Sequence, residues 1–334
     1  MIEKKTESAD MFNGNQVDGE RIISIVVPVF NENEGIDKFY GRVRDVVDSL
    51  KTLSYEIVFV DDGSNDGSYQ KLIRLANSDS NIRVIKFSRN FGHQIAITAG
   101  IDMAAGDAVV VIDADLQDPP EIIIEFVKKW EEGYDVVYGI REKRKGESIM
   151  KLLSAGIFYR LLKLIIKFDI PLDAGDFRLM SKRAVEQFKS LREKDRFVRG
   201  LTSWIGFKQT GVYYSREKRF VGETKYSYSQ MIKFAFDGIT SFSNMPLKLA
   251  TWLGYCTSFL AFMYMASVFV QKVLGYTVQG WATIMAGILF LGGIQLICLG
   301  IIGEYIGRIF NEVKQRPLYV IEEIYRSDST GTRK

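Results

Sequence analysis

Two stretches of this 334-residue chain, 249–270 and 281–302, run for 22 positions each without a charged residue. A helix rises about 1.5 Å per residue, so either stretch is long enough to cross the roughly 30 Å hydrocarbon core of a bilayer. In lipid every backbone polar group must find its partner inside the segment, which a helix achieves. A transmembrane helical hairpin is therefore expected within residues 247–303. The alternative is a pair of core helices, but uncharged runs of this length are rare in soluble domains. The link 271–280 carries only Lys272. Lys225, Lys233 and Lys248 precede the first stretch, and Arg308, Lys314 and Arg316 follow the second. By the positive-inside rule both flanks are cytoplasmic, which makes the chain an integral membrane protein with both termini and its N-terminal two-thirds in the cytoplasm.

The overall charge gives no sign of a polyelectrolyte partner. Lys and Arg total 44 against 41 Asp and Glu, a net charge of +3, so no nucleic-acid partner is expected. Cys256 and Cys298 both fall in the apolar stretches, without metal-ligand spacing or a disulfide framework. Residues 1–20 are polar, show no signal-peptide pattern and read as a flexible tail.

From residue 21 onward, strand and helix patterns alternate. Strands are expected at 22–29, 56–61, 82–88, 108–113 and 135–140, with helices at 34–50, 68–76, 93–105 and 120–130. This order implies an α/β domain with a mainly parallel sheet, spanning residues 21–226. Two further helices have wide apolar faces and polar stripes. One covers 229–243, within a segment 227–246 that leads into the first membrane stretch, and is expected at the membrane surface. The other covers 150–168 and fits the interface and a packed core equally well. The cytoplasmic tail, 304–334, contains a β-rich run at 318–324 after Pro317. A strand this far along the chain must pair with its own sheet or with a neighbouring subunit, and the second choice motivates the expectation of a homo-oligomer.

The apolar run Val109–Ile112 ends in Asp113-Ala114-Asp115. Carboxylates at a strand's C-terminus lie in the crevice where open α/β sheets bind ligands. Hard divalent cations take such oxygens and share phosphate ligands. A lone Asp-x-Asp also describes a solvated loop, but two other strands end alike, in Pro28-Val29-Phe30-Asn31-Glu32 and in Asp61-Asp62-Gly63-Ser64. No G-x-G-x-x-G and no P-loop occurs, which argues against a dinucleotide or an ATPase site.

The segments PVFNENEGI, VDDGSNDGS, SRNFGHQIAITAGIDMAAGD and DADLQDPPE resemble the inverting family 2 glycosyltransferases of GT-A fold. YGIREKRKGES, DAGDFRLMSKRAV, VGETKYSYSQM and GEYIGRIFNEVKQRPLYVIEEI are similar to its polyisoprenyl-phosphate branch, which includes dolichyl-phosphate mannose synthases and bactoprenol glucosyltransferases. The likeness runs over residues 22–324. It implies a GT-A nucleotide-sugar-binding domain that transfers a hexose, best taken as glucose from UDP-glucose, to undecaprenyl phosphate at the bacterial inner membrane. Pro28, Phe30, Glu32 and Asp62 match residues that hold the base and ribose. Asp113 and Asp115 match the carboxylates for Mg²⁺ or Mn²⁺ and the diphosphate, and Gln117 a polar sugar or phosphate contact. Arg141 and Lys225 resemble phosphate clamps, and Asp176 the catalytic carboxylate that orients the acceptor or takes its proton. Without that company Asp176 reads as a helix N-cap. His93, the single histidine, is expected to be structural. Two other readings stand beside this one. A processive polysaccharide synthase would carry a Q-x-x-R-W element, which the chain lacks. A non-catalytic scaffold would have lost Asp-x-Asp or Asp176, and both are intact.

Overall fold

The computed structural model describes residues 21–142, 174–217, 245–275 and 280–327. The tail 1–20, Lys225 and the amphipathic segments 150–168 and 229–243 lie outside the described residues. The strands are β1 (Ile22–Val29), β2 (Ser54–Asp61), β3 (Ile82–Phe87), β4 (Ala108–Val111), β5 (Val136–Arg141), β6 (Ala174–Ser181), β7 (Gln209–Tyr214) and β8 (Ile321–Arg326). The helices are α1 (Ile36–Ser49), α2 (Ser68–Ser78), α3 (His93–Met103), α4 (Ile122–Glu131), α5 (Lys182–Ser190), α6 (Val198–Ile205), α7 (Met245–Val273) and α8 (Trp281–Val313).

All eight strands form one sheet in the order β7-β5-β6-β4-β1-β2-β3-β8. The pairs β4–β1, β1–β2 and β2–β3 are parallel, while β6 runs antiparallel between β4 and β5. This is the mainly parallel α/β architecture of a GT-A domain. Strand alternation feeds two apolar layers. Ile25, Val27, Phe59 and Val110 face a layer with Phe39 and Val43 of α1, Leu72 of α2 and Phe126 of α4. Val26, Val58, Val60 and Val111 face Ile97 of α3, Phe188 of α5 and Leu201 of α6. Helix α1 fits this layer because Ile36, Phe39, Val43, Val46 and Val47 fall on one face and are all buried. Fully burying a Val, Ile or Phe side chain contributes roughly 1.5–3 kcal/mol, so both layers are substantial sources of stability.

The strand β6 is absent from the sequence reading, which left Asp176 open to the part of a helix N-cap. It carries Asp176 and Arg178 at alternate positions, while Phe177 and Leu179 point into the opposite layer. A buried strand with two charges reads as polar sequence, and only the partners of those charges make it tolerable.

The tail strand β8 pairs antiparallel with β3 of its own sheet, setting Tyr325 against Val84 and Ile324 against Ile85. Tyr319 stacks on Phe87 at 5.4 Å, Lys86 meets Glu322 at 2.8 Å, and Tyr69 donates to Glu323 at 2.8 Å. Of the two pairings open to this strand, the intramolecular one is formed. The observation that motivated a second subunit is thereby used up within one chain.

Helices α7 and α8 contain segments, Met245–Gln271 and Ile284–Val313, that are long and apolar enough to cross a membrane and are not buried in the protein. They pack on each other, with the Cys298 thiol 3.8 Å from the Ala250 carbonyl. At about 1.5 Å per residue, α8 is about 50 Å long and outruns the apolar core. Its polar end reaches the α5–α6 loop, where Arg308 pairs with Asp195 at 2.7 Å and Glu312 accepts the Lys194 backbone N–H at 2.6 Å.

Candidate active site

The site begins where β4 stops short. Pairing between β1 and β4 ends at Val26 and Val111, whereas β1 continues beside β2 to Val29. Pro28, which has no N–H to donate, sits where the β4 ladder has ended. The chain leaves β1 toward β2 and β3 on one side and reaches β4 on the other, which makes this gap a topological switch point. A cavity of about 250 Å³ opens there, lined by Pro28, Phe30, Glu32, Asp62, Asp113 and Asp115 among others. Six of the residues expected from sequence are thus brought together.

Two local devices shape its rim. Asp62 accepts backbone N–H groups from Phe91 at 2.6 Å and Gly92 at 2.9 Å. Its carboxyl is raised by burial, which these N–H groups partly oppose. Gly92 has φ 102, a conformation open to glycine, and so delivers its N–H to Asp62 immediately before α3 starts. Leu116 has φ 60, uncommon for a branched side chain, and is buried. This turn lets the Gln117 N–H cap Asp115 Oδ1 at 3.0 Å. Gln117 contributes through its backbone. Its carbonyl accepts the Glu217 N–H at 2.9 Å, and it is not among the residues lining the cavity.

Behind Asp113 lies a charged cluster. His93 Nε2 stands 3.4 Å from Asp113 Oδ1 and 3.5 Å from Asp176 Oδ2. Arg199 donates to both Asp176 oxygens, at 3.0 and 3.3 Å, and Gln94 donates to Oδ2 at 3.0 Å. Burial alone would raise the Asp176 carboxyl, but Arg199 first and then His93 hold it well below the usual carboxylate range. Burial alone would likewise lower His93, but the Asp176 and Asp113 carboxylates raise it to about 9. Burial pushes Asp113 up to about 6, against the pull of His93. Arg178, buried beneath the cluster, donates to the carbonyls of Gly175 and Asp176 and to the Thr202 hydroxyl, which fixes the backbone that carries Asp176.

Arg141 stands beside this cluster, not in the first cavity. It reaches Tyr214 at 3.3 Å and Asp118 at 3.4 Å, and buried Asp118 also accepts the Tyr214 hydroxyl at 2.6 Å. A Cβ at Gly175 would come within 2.5 Å of Arg141 Nη2, so the glycine makes the room that the guanidinium occupies. Lys225 lies outside the described residues.

His93, expected to be structural, bridges Asp113 and Asp176 and lines the cavity. Gln94, Asp118, Arg199 and Tyr214 were not singled out from sequence. His93 and Gln94 lie in a segment that carried the resemblance, so they were within reach. Arg199 was not, because an arginine in a short amphipathic helix gives no signal until β6 is placed.

Residues 24–188 match Glycosyl transferase family 2, and residues 245–309 match the GtrB C-terminal hairpin. The glycosyltransferase YkcC of Bacillus subtilis (strain 168) is 52% identical over 303 residues, 90% of this chain and 94% of that protein. The chain belongs to glycosyltransferase family 2. The glycosyltransferase sll0501 of Synechocystis sp. is 47% identical over 91% of this chain and 95% of its own. A prophage bactoprenol glucosyl transferase homolog of Escherichia coli (strain K12) is 43% identical over 90% of this chain and 99% of its own. The family 2 assignment makes the chain a glycosyltransferase, with Asp113 and Asp115 lining its cavity and Asp176 in the charged cluster behind Asp113.

Proposed function

We propose that this enzyme transfers glucose from UDP-glucose to a polyisoprenyl phosphate, undecaprenyl phosphate, with inversion at the cytoplasmic face of a bacterial inner membrane. The observation that carries this reading is the position of the Asp113–His93–Asp176–Arg199 cluster. It lies between a cavity rimmed by strand ends and a loop that touches the cytosolic end of a membrane helix. Relatives named bactoprenol glucosyl transferase, 43% identical over nine-tenths of the chain, support the sugar and the lipid class. The basic flanks of α7 and α8 support the cytoplasmic placement.

The donor set at Asp113 and Asp115 fits Mg²⁺ or Mn²⁺. Asp113 Oδ1 is buried, makes no hydrogen bond and has only His93 at 3.4 Å as a charged neighbour, and burial has raised its carboxyl, so a cation shared with Asp115 would favour the ionised form. Among the described residues no group of three or more His, Cys, Asp or Glu side chains could hold a metal. The protein thus offers two carboxylates and leaves the other positions to diphosphate oxygens and water. Bound there, the ion would neutralise charge on the nucleoside diphosphate leaving group.

Pro28, Phe30, Glu32 and Asp62 would seat the nucleoside, with Gln117 holding the Asp115 loop. A phosphate monoester with second pKa near 6 is largely dianionic at neutral pH, so the acceptor needs positioning more than deprotonation. Asp176, kept anionic by Arg199, is a weak base and would act by fixing Arg199 and His93. Arg141 and Lys225 would offset the charge of two phosphate groups brought together. An acceptor phosphate oxygen attacks the anomeric carbon, the bond from that carbon to the β-phosphate oxygen breaks, and UDP leaves with the electron pair.

Calorimetry with a panel of nucleoside diphosphates tests the donor half. UDP should bind only with divalent cation present, and Asp115→Ala should weaken that binding at least tenfold. Preferential binding of GDP, or metal-independent binding, would contradict the donor assignment.

A further inference from the structure

The loop that carries Asp113 and Asp115 contains a residue held against its own preference. Leu116 has φ 60, in the left-handed region, and is only 2% exposed. Such a backbone costs energy for a branched side chain and persists only where surrounding contacts leave the chain no alternative. The turn has a use: it aims the Gln117 N–H at Asp115 Oδ1, 3.0 Å away. What holds the turn comes from distant parts of the chain.

The exit of the edge strand β7, residues 214–217, lies along this loop like a strap. The Glu217 N–H donates to the Gln117 carbonyl at 2.9 Å. Buried Asp118 accepts the Tyr214 hydroxyl at 2.6 Å and pairs with Arg216 at 3.3 Å, besides its contact with Arg141. Arg42 of α1 then ties the far end of the loop to the same strap. Its Nε and Nη2 donate to the two oxygens of Glu121, at the start of α4, at 3.0 and 2.7 Å. Its Nη1 and Nη2 donate to the two oxygens of Glu217 at 3.1 and 2.9 Å. One guanidinium is thus forked onto two carboxylates at once. Isolated surface ion pairs contribute little, and bidentate geometry within a network is the exception.

These ties bear on the residues that follow Leu116: the backbone of Gln117, the side chain of Asp118 and, at the end of the loop, Glu121. With the strap fastened, Leu116 has no room to return to an ordinary φ, and the Gln117 N–H stays on Asp115. With the strap loose, the turn would relax and the Asp115 carboxylate would lose its fixed direction. A site that offers a cation only two carboxylates depends on both being held. Groups that orient a metal's ligands without touching the metal commonly tune its affinity about tenfold to a hundredfold.

We propose that Arg42 and Glu217 are positioning residues for the divalent-cation site, fastening the β7 exit over the Asp113–Glu121 loop and so setting the direction of the Asp115 carboxylate. Neither lines the donor cavity, so both act through the loop. The inference rests on the metal and diphosphate reading of the proposed function and adds what holds its carboxylates in place.

The test is a Mn²⁺ titration of UDP binding to the full-length protein, followed by calorimetry. Arg42→Met is expected to raise the Mn²⁺ concentration for half-maximal UDP binding about tenfold. Arg42→Lys, which keeps the charge without the fork, should lie between that variant and the unaltered protein. Glu217→Ala carries the test if Arg42→Met does not fold. Uridine, which needs the nucleoside seat and no cation, gives the control. Its affinity, read by saturation-transfer NMR without metal, should be the same in every variant. The metal-free melting temperature should barely change, because Glu121 and Glu217 are 52% and 49% exposed and water takes the place of Arg42. An unchanged Mn²⁺ requirement in Arg42→Met would overturn the proposal, since the strap would then not reach the metal loop. A uridine affinity that falls in step would overturn it too, by showing that the strap holds the whole domain. UDP binding that needs no divalent cation in the unaltered protein would instead refute the metal reading itself, and with it the donor half of the proposed function.

Discussion

At Asp176 two carboxylate oxygens accept from Gln94 and twice from Arg199, with His93 3.5 Å away. Such a group is built to stay charged and still. Asp176→Asn should therefore cut turnover at least a hundredfold while leaving the UDP affinity unchanged. It should also destabilise the protein, because Arg199 loses its counter-charge. A fully buried broken pair costs about 3–5 kcal/mol, and the 29% exposure of Arg199 lowers that figure. The double variant with Arg199→Met separates the effects. Melting temperature should partly recover and turnover should not, and recovery of both would show the pair to be scaffolding. Asp135 gives the pH test. Burial alone would raise its carboxyl, but Arg183 and Ser181 outweigh burial and lower it. A depressed folded pKa contributes stability above the unfolded value, near 3.9, and loses it as pH falls through the folded value. The gap in melting temperature between the unaltered protein and Asp135→Asn should thus be full at pH 6–7 and close below about pH 4. A gap independent of pH would mean that the charge contributes nothing.

Among the elements, β6 and the β5 end meet at Gly175, where Arg141 takes the space of a missing side chain. Gly175→Ala should displace that guanidinium and lower turnover about tenfold or more. The melting temperature should barely change, because the obstructed atom ends a long side chain. Equal turnover would remove Arg141 from the site. The first five strands were legible because apolar runs alternate with amphipathic helices and end in turn residues. Observed bounds differ mainly at the ends, as at β4, which stops at Val111 once Asp113 and Asp115 turn out of the ladder. The strand β6 was illegible for the reason that makes it functional. Asp176 and Arg178 are charges at buried positions, and their stabilising partners come from α3 and α6, far away in sequence. The cavity-lining residues Pro28, Phe30, Glu32, Asp62, Asp113 and Asp115 were legible because each sits at a strand end. Asp118 lies in the DADLQDPPE segment and was within reach, whereas Arg199 acts across elements and no local pattern marks it.

The whole molecule returns on itself. After β7 the chain passes through α7 and α8 and comes back to complete its own sheet with β8. A cut after Arg316 should therefore uncover the β3 edge, lower the melting temperature and promote aggregation, as exposed edges do. An unchanged melting temperature after that cut would show β8 to be dispensable. The same return path joins the two long apolar helices to the α5–α6 loop and so to the neighbourhood of the Asp176 cluster. The claim that depends on all of it is the transfer itself, and one measurement addresses it. Membranes containing the full-length enzyme are given UDP-glucose labelled in the sugar, undecaprenyl phosphate and Mg²⁺ or Mn²⁺, and the organic phase is analysed. The account predicts a labelled glucosyl phosphoryl lipid with β-anomeric configuration, inverted from the donor, whose formation stops on chelation. Label confined to the aqueous phase with every nucleotide sugar tried, or a lipid product that retains the α-configuration, would contradict it.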